Sequence, residues 1–600
     1  MLVLRSLLPL AVLIVAIWLS LAWPARALGA GERSLYRIEL EVDRPNGVVV
    51  ARQVVHYVNG TGVTLDSVVF KAMPAHYRSF WLDSARVGGR DVMPGQSGWL
   101  LDVPLPAQLP PDGRVEIELR FRLDVPSPGN MRFGNASGVL VLGNWYPVLS
   151  VYRVGNGWDR GPFTEVGDAF YTETADYEVT LRTTTELVAS YTGQRVGGDG
   201  LTRIIRADGV RDFAIALSER FQTQSTQVGN TTITAYFRPG NASGGATMVA
   251  SAARSLAWFN QQLGAYPFPT LDIVEAGVYA GWEGQEYPQI VFIAGPIVAQ
   301  GGGVGSRLDY LVIHEVLHQW FYSVVGNDQL YEPWLDEALT SHVSYEHYRL
   351  NYPTVYSGYW SRLVSSYRDA VRSWGDRPVN TSVYDYRNAS HYFAIVYRKG
   401  AIFLDELRQR LGDDGYYALL RDYYSRFRFG LATGPDFLDL VSARGGEGAR
   451  SLINANFTYP QYQPGAAPRP ALATPRPPLA SRTTVTATRP ALLQTPTLAS
   501  QRAPLGSPSP SAIGPPATAS ALPTRSSEAT AQASPRPAAT VVTTRSAQPD
   551  AAATATTDLP SSPTAAQPAG WASERSTWLF VVGGIVLLGL GLAISRLRPS

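Results

Sequence analysis

Polar and apolar residues alternate with a period of two over residues 34–225, most clearly at 36–42, 115–121 and 176–181. Turn sequences such as Pro45-Asn46-Gly47 separate these runs. Period-two runs separated by turns predict an antiparallel β-sandwich. From residue 246 onward the pattern becomes helical. We therefore predict a multidomain α+β protein with a β domain over residues 31–235 and a mainly helical domain over residues 236–460.

The two ends of the chain carry apolar runs of a different kind. The run at residues 6–22 precedes the A-x-A sequence Ala25-Arg26-Ala27, which predicts a signal peptide within residues 1–30. A retained N-terminal anchor is the alternative. The run at 578–594 is long enough to span a bilayer, which predicts a transmembrane helix over residues 576–596.

Arg596 and Arg598 follow the second run and favour the cytoplasmic side of a membrane. We therefore expect a single-pass cell-membrane protein with its bulk outside the cytoplasm. If the N-terminal segment is retained, the protein crosses the membrane twice, and the chain between the two segments still lies outside the cytoplasm. Between the helical region and this anchor, residues 461–575 are dominated by Pro, Ala, Ser and Thr, which predicts a disordered stalk.

Charge and cysteine content exclude several classes of protein. The 51 basic and 49 acidic residues nearly balance, and no block has the basic excess that phosphate binding needs. We therefore expect no nucleic-acid partner. Because the chain has no cysteine, thiolate metal sites, cysteine nucleophiles and disulfides are excluded.

The candidate chemistry begins with the H-E-x-x-H sequence at residues 314–318. Ser306 is a plausible N-cap and Gly326 a plausible stop, so we predict one helix of about five turns between them. Positions i and i+4 lie on one helix face, so His314 and His318 can bind one ion. Glu315 lies one position further round and could handle a water molecule without being a ligand.

A catalytic zinc site needs a third protein ligand. Glu337 follows His318 by eighteen intervening residues, and Pro333 suits the first turn of a second helix. A returning antiparallel helix would bring Glu337 level with the two histidines. His342 and His347 are competing candidates farther along that helix, where we expect ordinary surface positions.

These motifs resemble the signature of the aminopeptidase N-like gluzincins, the membrane alanyl aminopeptidase family. Two further stretches are similar to family motifs: Val-Tyr-Arg-Lys-Gly-Ala at 396–401, and Gly-Gln-Glu-Tyr-Pro at 284–288, where bacterial relatives have G-M-E-Y-P. The resemblance implies a β domain followed by a thermolysin-like, mainly helical catalytic domain with one Zn²⁺ per chain and peptide substrates. It further implies that Glu315 is the general base, that Tyr397 stabilises the tetrahedral intermediate, and that Glu286 holds the free amine of the substrate.

Several positions depart from the family pattern. Asp336 and Ala338 replace the Asn and Gly beside the family's glutamate ligand, and Gln285 and Tyr287 change the amine-binding motif. A stalk stands where the family has a large helical domain, so we expect a more open cleft. We predict a membrane-anchored, extracytoplasmic zinc aminopeptidase. The alternatives are a zinc endopeptidase of broader specificity and a non-catalytic surface binding protein on a peptidase fold.

Overall fold

The computed structural model describes residues 33–130, 132–169, 171–277 and 283–459. The predicted signal peptide or N-terminal anchor, the stalk at 461–575 and the transmembrane helix at 576–596 lie outside these residues and stay predictions. Within the described ranges, no helix combines the length and the apolar character that crossing a membrane requires.

The strands, numbered in chain order, are β1 (Leu35–Asp43), β2 (Val48–Val58), β3 (Leu65–Lys71), β4 (Phe80–Val87), β5 (Arg90–Val92), β6 (Gly95–Ser97), β7 (Leu100–Leu109), β8 (Arg114–Asp124), β9 (Phe133–Ala136), β10 (Val139–Leu142), β11 (Val148–Leu149), β12 (Tyr152–Arg153), β13 (Gly157–Trp158), β14 (Ala175–Thr183), β15 (Val188–Tyr191), β16 (Gln194–Gly197), β17 (Thr202–Val210), β18 (Ile215–Ser218), β19 (Gln222–Val228), β20 (Thr231–Phe237), β21 (Thr270–Ala276), β22 (Gly284–Tyr287) and β23 (Ile290–Ala294).

The helices are α1 (Met73–His76), α2 (Ala242–Leu263), α3 (Gly295–Gln300), α4 (Arg307–Leu317), α5 (Trp334–Asn351), α6 (Pro353–Trp374), α7 (Ala389–Phe393), α8 (Gly400–Phe427) and α9 (Gly434–Asn456). A 3₁₀ turn covers Val383–Asp385, and a π-helical segment, Ala394–Lys399, joins α7 to α8. The β-rich N-terminal part and the helical C-terminal part that we predicted are therefore confirmed.

An eight-stranded sheet dominates the N-terminal part, in the order β16-β17-β14-β1-β2-β8-β4-β5. Two four-stranded sheets, β15-β18-β10-β9 and β11-β3-β7-β6, share one hydrophobic core with it. Every pair in the large sheet is antiparallel except β1 and β14, which run parallel with Leu35 opposite Asp176. We predicted only antiparallel pairs, and this prediction is wrong at β1. Its hairpin partner β2 pairs with one edge of β1, and β14, which lies far along the chain, pairs in parallel with the other edge.

A five-stranded mixed sheet, β19-β20-β21-β23-β22, leads into the helical part. The boundary that we placed between residues 235 and 236 falls inside β20, which pairs in parallel with β21. Helix α2 begins at Ala242, before the helical pattern becomes visible in the sequence. Its first turns contain Gly244 and Gly245, because a Cβ on Gly244 would overlap the backbone of Val298.

Candidate metal centre and active site

Helix α4 carries the H-E-x-x-H sequence. The Ser306 hydroxyl accepts a hydrogen bond from the Asp309 amide at 3.1 Å and caps the helix, as predicted. The predicted helix of about five turns is wrong, because α4 ends at Leu317 and His318 is its C-cap. The chain turns there so that the carbonyl oxygen of Phe321 faces His318 Nδ1 at 3.1 Å.

Helix α5 returns beside α4 and brings Glu337 to the two histidines. Glu337 Oε2 lies 3.4 Å from His314 Nε2 and 3.4 Å from His318 Nε2. The two histidine nitrogens lie 3.3 Å from each other. The three atoms therefore form a nearly equilateral triangle.

This triangle fits a tetrahedral zinc ion. Ligands about 2.0–2.1 Å from such an ion are about 3.3–3.4 Å apart, which is the spacing observed. Glu337 Oε2 is buried and accepts no hydrogen bond from any described residue, so it has a lone pair free for a cation. Two imidazoles and one carboxylate are also the donor set of many catalytic zinc sites.

Neighbouring groups hold the candidate ligands in place. Because a carbonyl oxygen only accepts, His318 Nδ1 carries the proton toward Phe321 and Nε2 is left free to bind a metal. Asp336 anchors the start of α5: its carboxylate accepts from Asn327 Nδ2 at 3.1 Å and from Gln329 Nε2 at 2.5 Å. Asp336, which replaces the asparagine of the family pattern, thus accepts hydrogen bonds from two amide groups.

Glu315 is buried next to the triangle. Edge strand β22 packs against it, and Gly284 is the contact point. A Cβ on Gly284 would lie 2.5 Å from Glu315 Cδ and closer still to its Oε1. Only a glycine lets β22 approach the Glu315 carboxylate this closely.

Tyr397 reaches the same site from the π-helical segment. Its hydroxyl donates a very short hydrogen bond to Glu337 Oε1. Its ring stacks on the His314 ring, with centroids 6.0 Å apart and planes 17° apart. The phenol is therefore held beside two of the three candidate ligands.

Glu286 lies on β22 and is only 3% exposed. Its Oε2 accepts from Gln285 Nε2 at 2.7 Å, whereas its Oε1 is buried without a partner among the described residues. Oxygens of Glu286, Glu337 and Asp168 lie within 4.8 Å of one another. The structure thus brings together all six site residues that the sequence suggested.

Burial and charge shape the ionisation of this site. Burial raises the pKa of Glu315 to about 8 and raises the pKa of Glu286 well above its usual range. Burial also acts to raise the pKa of Glu337, but the facing His318 and His314 outweigh it and lower that pKa. For His318 burial acts to lower the pKa, but Glu286 and Glu337 outweigh it and raise the pKa. The site has an excess of carboxylates, which favours added positive charge.

The competing histidines lie elsewhere. His342 Nδ1 is 2.8 Å from the Tyr416 hydroxyl, and His347 packs against the rings of Trp258 and Phe259. Both histidines are buried, so the surface positions that we expected are wrong. The reason is that α8 packs against α5 at His342 and that two aromatic rings of α2 cover His347.

Sequence reasoning missed Asp168 and Arg132. Both come from the β domain and meet Gln285 across more than a hundred residues of sequence. No local motif marks them. The one available signal was the polar Gln285 at a position where the family has methionine.

Comparison with known proteins agrees with this geometry. The profile of the peptidase family M1 domain matches residues 248–455. The chain is 27% identical over 232 residues to mitochondrial aminopeptidase 2 of Saccharomyces cerevisiae, a match covering 36% of this chain and 24% of that protein. It is 25% identical over 209 residues to aminopeptidase N of Lactococcus lactis, covering 33% and 24%. The chain thus spans about a quarter of the length of these curated relatives.

The fold is similar to solved structures. The M1 zinc metallopeptidase of Deinococcus radiodurans superposes with a TM-score of 0.54 at 17% identity, over 73% of this chain and 96% of that one. A mutant of the same enzyme bound to a Tyr-Ser-Ala substrate gives a TM-score of 0.54 at 16% identity, over 72% and 95%. The segment 248–455, which carries the candidate ligands, base and tyrosine on α4, α5 and the π-helical segment, thus matches the peptidase family M1 domain.

Proposed function

We propose that this protein is a zinc aminopeptidase that removes N-terminal residues from peptides. The triangle of His314 Nε2, His318 Nε2 and Glu337 Oε2 is the observation that carries the proposal. Its spacing suits one tetrahedral Zn²⁺ and leaves the fourth position for a reactant. The aminopeptidases among the relatives support the same activity.

Three residues would hold the zinc: His314, His318 and Glu337. When bound, zinc polarises the scissile carbonyl and lowers the pKa of water. Glu315 does not bind the ion. Its buried carboxylate would take a proton from the attacking water and return it to the leaving amine.

Tyr397 would orient the developing oxyanion. Its hydroxyl donates to Glu337 Oε1 in the structure, and stacking on His314 fixes its ring. A phenol held this way can turn its proton toward a substrate oxygen near the ligands. One such donor typically contributes about 3 kcal/mol to transition-state stabilisation.

Gly284→Ala tests the placement of Glu315. The added methyl overlaps the Glu315 carboxylate, so the base must move. We expect kcat to fall by about 10- to 100-fold, because displacements of about 1 Å cost that much, while zinc content stays normal. Steady-state kinetics with an aminoacyl reporter and metal analysis measure both quantities.

Gly358→Ala on α6 is the matched control, since a Cβ there meets nothing within 4 Å. It should leave kcat unchanged. A Gly284→Ala enzyme with wild-type kcat would show that Glu315 is not the base, or that β22 yields without affecting it.

Glu286 would bind the free α-amine of the substrate. Its buried Oε1 has no donor among the described residues, and an ammonium group supplies both the donor and the compensating charge. A mutant of the Deinococcus enzyme was solved with a Tyr-Ser-Ala substrate, and mutants of a two-domain M1 zinc metallopeptidase were solved with L-arginine and L-tryptophan; all three ligands carry a free amine. This likeness supports exopeptidase over endopeptidase specificity.

N-terminal acetylation of the reporter tests this specificity. We expect the protein to cleave aminoacyl reporters and to ignore their acetylated forms, because acetylation leaves a buried carboxylate unpaired and costs several kcal/mol. Glu286→Gln should weaken cleavage of the free reporter strongly at normal zinc content. Efficient cleavage of blocked or internal bonds would favour the zinc endopeptidase, and a zinc-loaded protein without turnover would favour the surface binding protein.

We also propose that residues 576–596 anchor the chain in the cell membrane with the catalytic part outside the cytoplasm. The apolar run and the following arginines in the sequence support this orientation. Protease added to intact cells should cut within 461–575 and release an active soluble fragment, while a cytoplasmic marker stays whole. A full-length chain that is cut only after permeabilisation would contradict the orientation.

A further inference from the structure

Arg398 is a half-buried arginine beside the candidate active site, with no role in the reaction described above. It follows Tyr397 directly in the π-helical segment. The titratable groups that face it are the phenols of Tyr345 and Tyr310 and the guanidinium of Arg307. Among the described residues, no carboxylate forms an ion pair or a hydrogen bond with Arg398. Its guanidinium is therefore open to an acidic group from outside the chain.

Three tyrosines connect this arginine to the candidate metal ligands. The Tyr310 ring stacks on the His314 ring, with centroids 5.9 Å apart and planes 29° apart. The rings of Tyr345 and Tyr359 each lie 5.4 Å from the Tyr310 ring. All three tyrosines are partly exposed. They form an aromatic surface, called the tyrosine surface below, that begins at His314 and follows α4 toward its first turn.

Two further arginines border the tyrosine surface. Arg362 on α6 lies over the Tyr359 ring, 5.7 Å from its centroid. Arg307 begins α4 and forms an ion pair with Glu283. Of the three guanidinium groups at this surface, only that of Arg307 is balanced by a carboxylate of the described residues. The surface therefore has an excess of positive charge.

Negative and positive charge lie beside different candidate ligands. An oxygen of Glu286, the residue proposed to bind the substrate amine, lies within 4.8 Å of a ring nitrogen of His318. The tyrosine surface begins at His314 instead. A peptide with its ammonium group at Glu286 and its scissile carbonyl at the triangle would extend its leaving part toward Arg398. A guanidinium binds a carboxylate best, because its planar fork of donors matches the two oxygens.

We propose that Arg398 binds a carboxylate of the substrate on the leaving side of the scissile bond, and that Arg362 adds to the positive charge there. The carboxylate is either the C-terminus of a dipeptide or the side chain of an acidic second residue. This inference rests on the proposed aminopeptidase function and extends it to the residue after the cleaved bond. It makes short or acidic peptides the preferred substrate class.

The experiment compares three peptides of the same shape on the purified full-length protein. Leu-Gln has a C-terminal carboxylate, Leu-Glu amide has only a side-chain carboxylate, and Leu-Gln amide has neither. We expect kcat/KM for at least one of the two acidic peptides to exceed that for Leu-Gln amide by about 3- to 30-fold, the range for a charge-assisted hydrogen bond at a partly exposed site. This preference should shrink at high salt, because the arginine is partly exposed to solvent.

Arg398→Gln should remove most of this preference, because it removes the charge. Arg398→Lys keeps the charge without the planar fork and should keep part of it. The preference is a ratio measured on one preparation, so a variant that folds incompletely still reports it. Arg368→Gln is the matched control at an exposed position on α6, and it should have the wild-type preference and zinc content.

The outcomes separate this inference from the proposed function. A preference for Leu-Gln assigns the C-terminal carboxylate, a preference for Leu-Glu amide assigns the acidic side chain, and both uphold the inference. If wild type cleaves all three peptides equally well, or if Arg398→Gln keeps the full preference, the inference is wrong and the aminopeptidase proposal stands. A zinc-loaded wild type that cleaves none of the peptides and no leucyl reporter overturns the proposed function instead.

Discussion

Glu315→Gln should abolish nearly all turnover while leaving the fold and the zinc content intact. The amide has almost the same shape as the carboxylate, so it fits under Gly284 in the same space. It cannot accept the proton of the attacking water, and loss of a positioned general base typically costs about 10²–10⁴ in rate. Reporter kinetics, metal analysis and the melting temperature together measure this outcome.

The control for that experiment is Glu186→Gln, which makes the same chemical change at an exposed position before β15. It should have wild-type kcat. A Glu315→Gln protein with near-normal kcat would show that Glu315 is not the general base, because glutamine cannot accept the proton of the attacking water.

Glu337→Ala should lose the metal itself. The change removes one corner of the ligand triangle and leaves two imidazoles, which bind zinc weakly. Loss of groups that merely support a ligand costs about 10–100-fold in metal affinity, so loss of the ligand should weaken zinc by more than about 100-fold. Zinc titration against a competing chelator measures the affinity.

Glu406→Ala, at an exposed position on α8, removes the same side chain far from zinc and should leave its affinity unchanged. Wild-type zinc affinity in the Glu337→Ala protein would mean that the third ligand is another residue. Asp336 would then be the next candidate, because one of its oxygens lies within 4.8 Å of ligand atoms of His318 and Glu286.

The three candidate zinc ligands can be predicted from the sequence because they depend on local spacing. His314 and His318 share a helix face whatever the rest of the fold does, and the distance to Glu337 suits a helix that turns back. The end of α4 is different. The helical pattern continues through Trp320, but α4 ends at Leu317, and the His318 imidazole donates to the Phe321 carbonyl, a contact formed only in three dimensions.

Long-range contacts are the parts that the sequence leaves undetermined. Asp168 and Gln285 are 117 positions apart, and nothing in the period-two pattern of the β domain marks a loop carboxylate as part of a catalytic cleft. The parallel pairing of β1 with β14 is hidden for the same reason, since strand periodicity is identical in parallel and antiparallel neighbours. The motifs therefore predict the candidate ligands and base, whereas the residues around them are set by tertiary contacts.

We propose that this chain is a zinc-dependent aminopeptidase. The most direct measurement is the rate of leucyl reporter cleavage by the purified full-length protein before chelation, after removal of the metal, and after one equivalent of zinc is returned. We expect that cleavage disappears with the metal and returns fully at one zinc per chain. Unchanged cleavage by a protein shown by metal analysis to hold no zinc would contradict it.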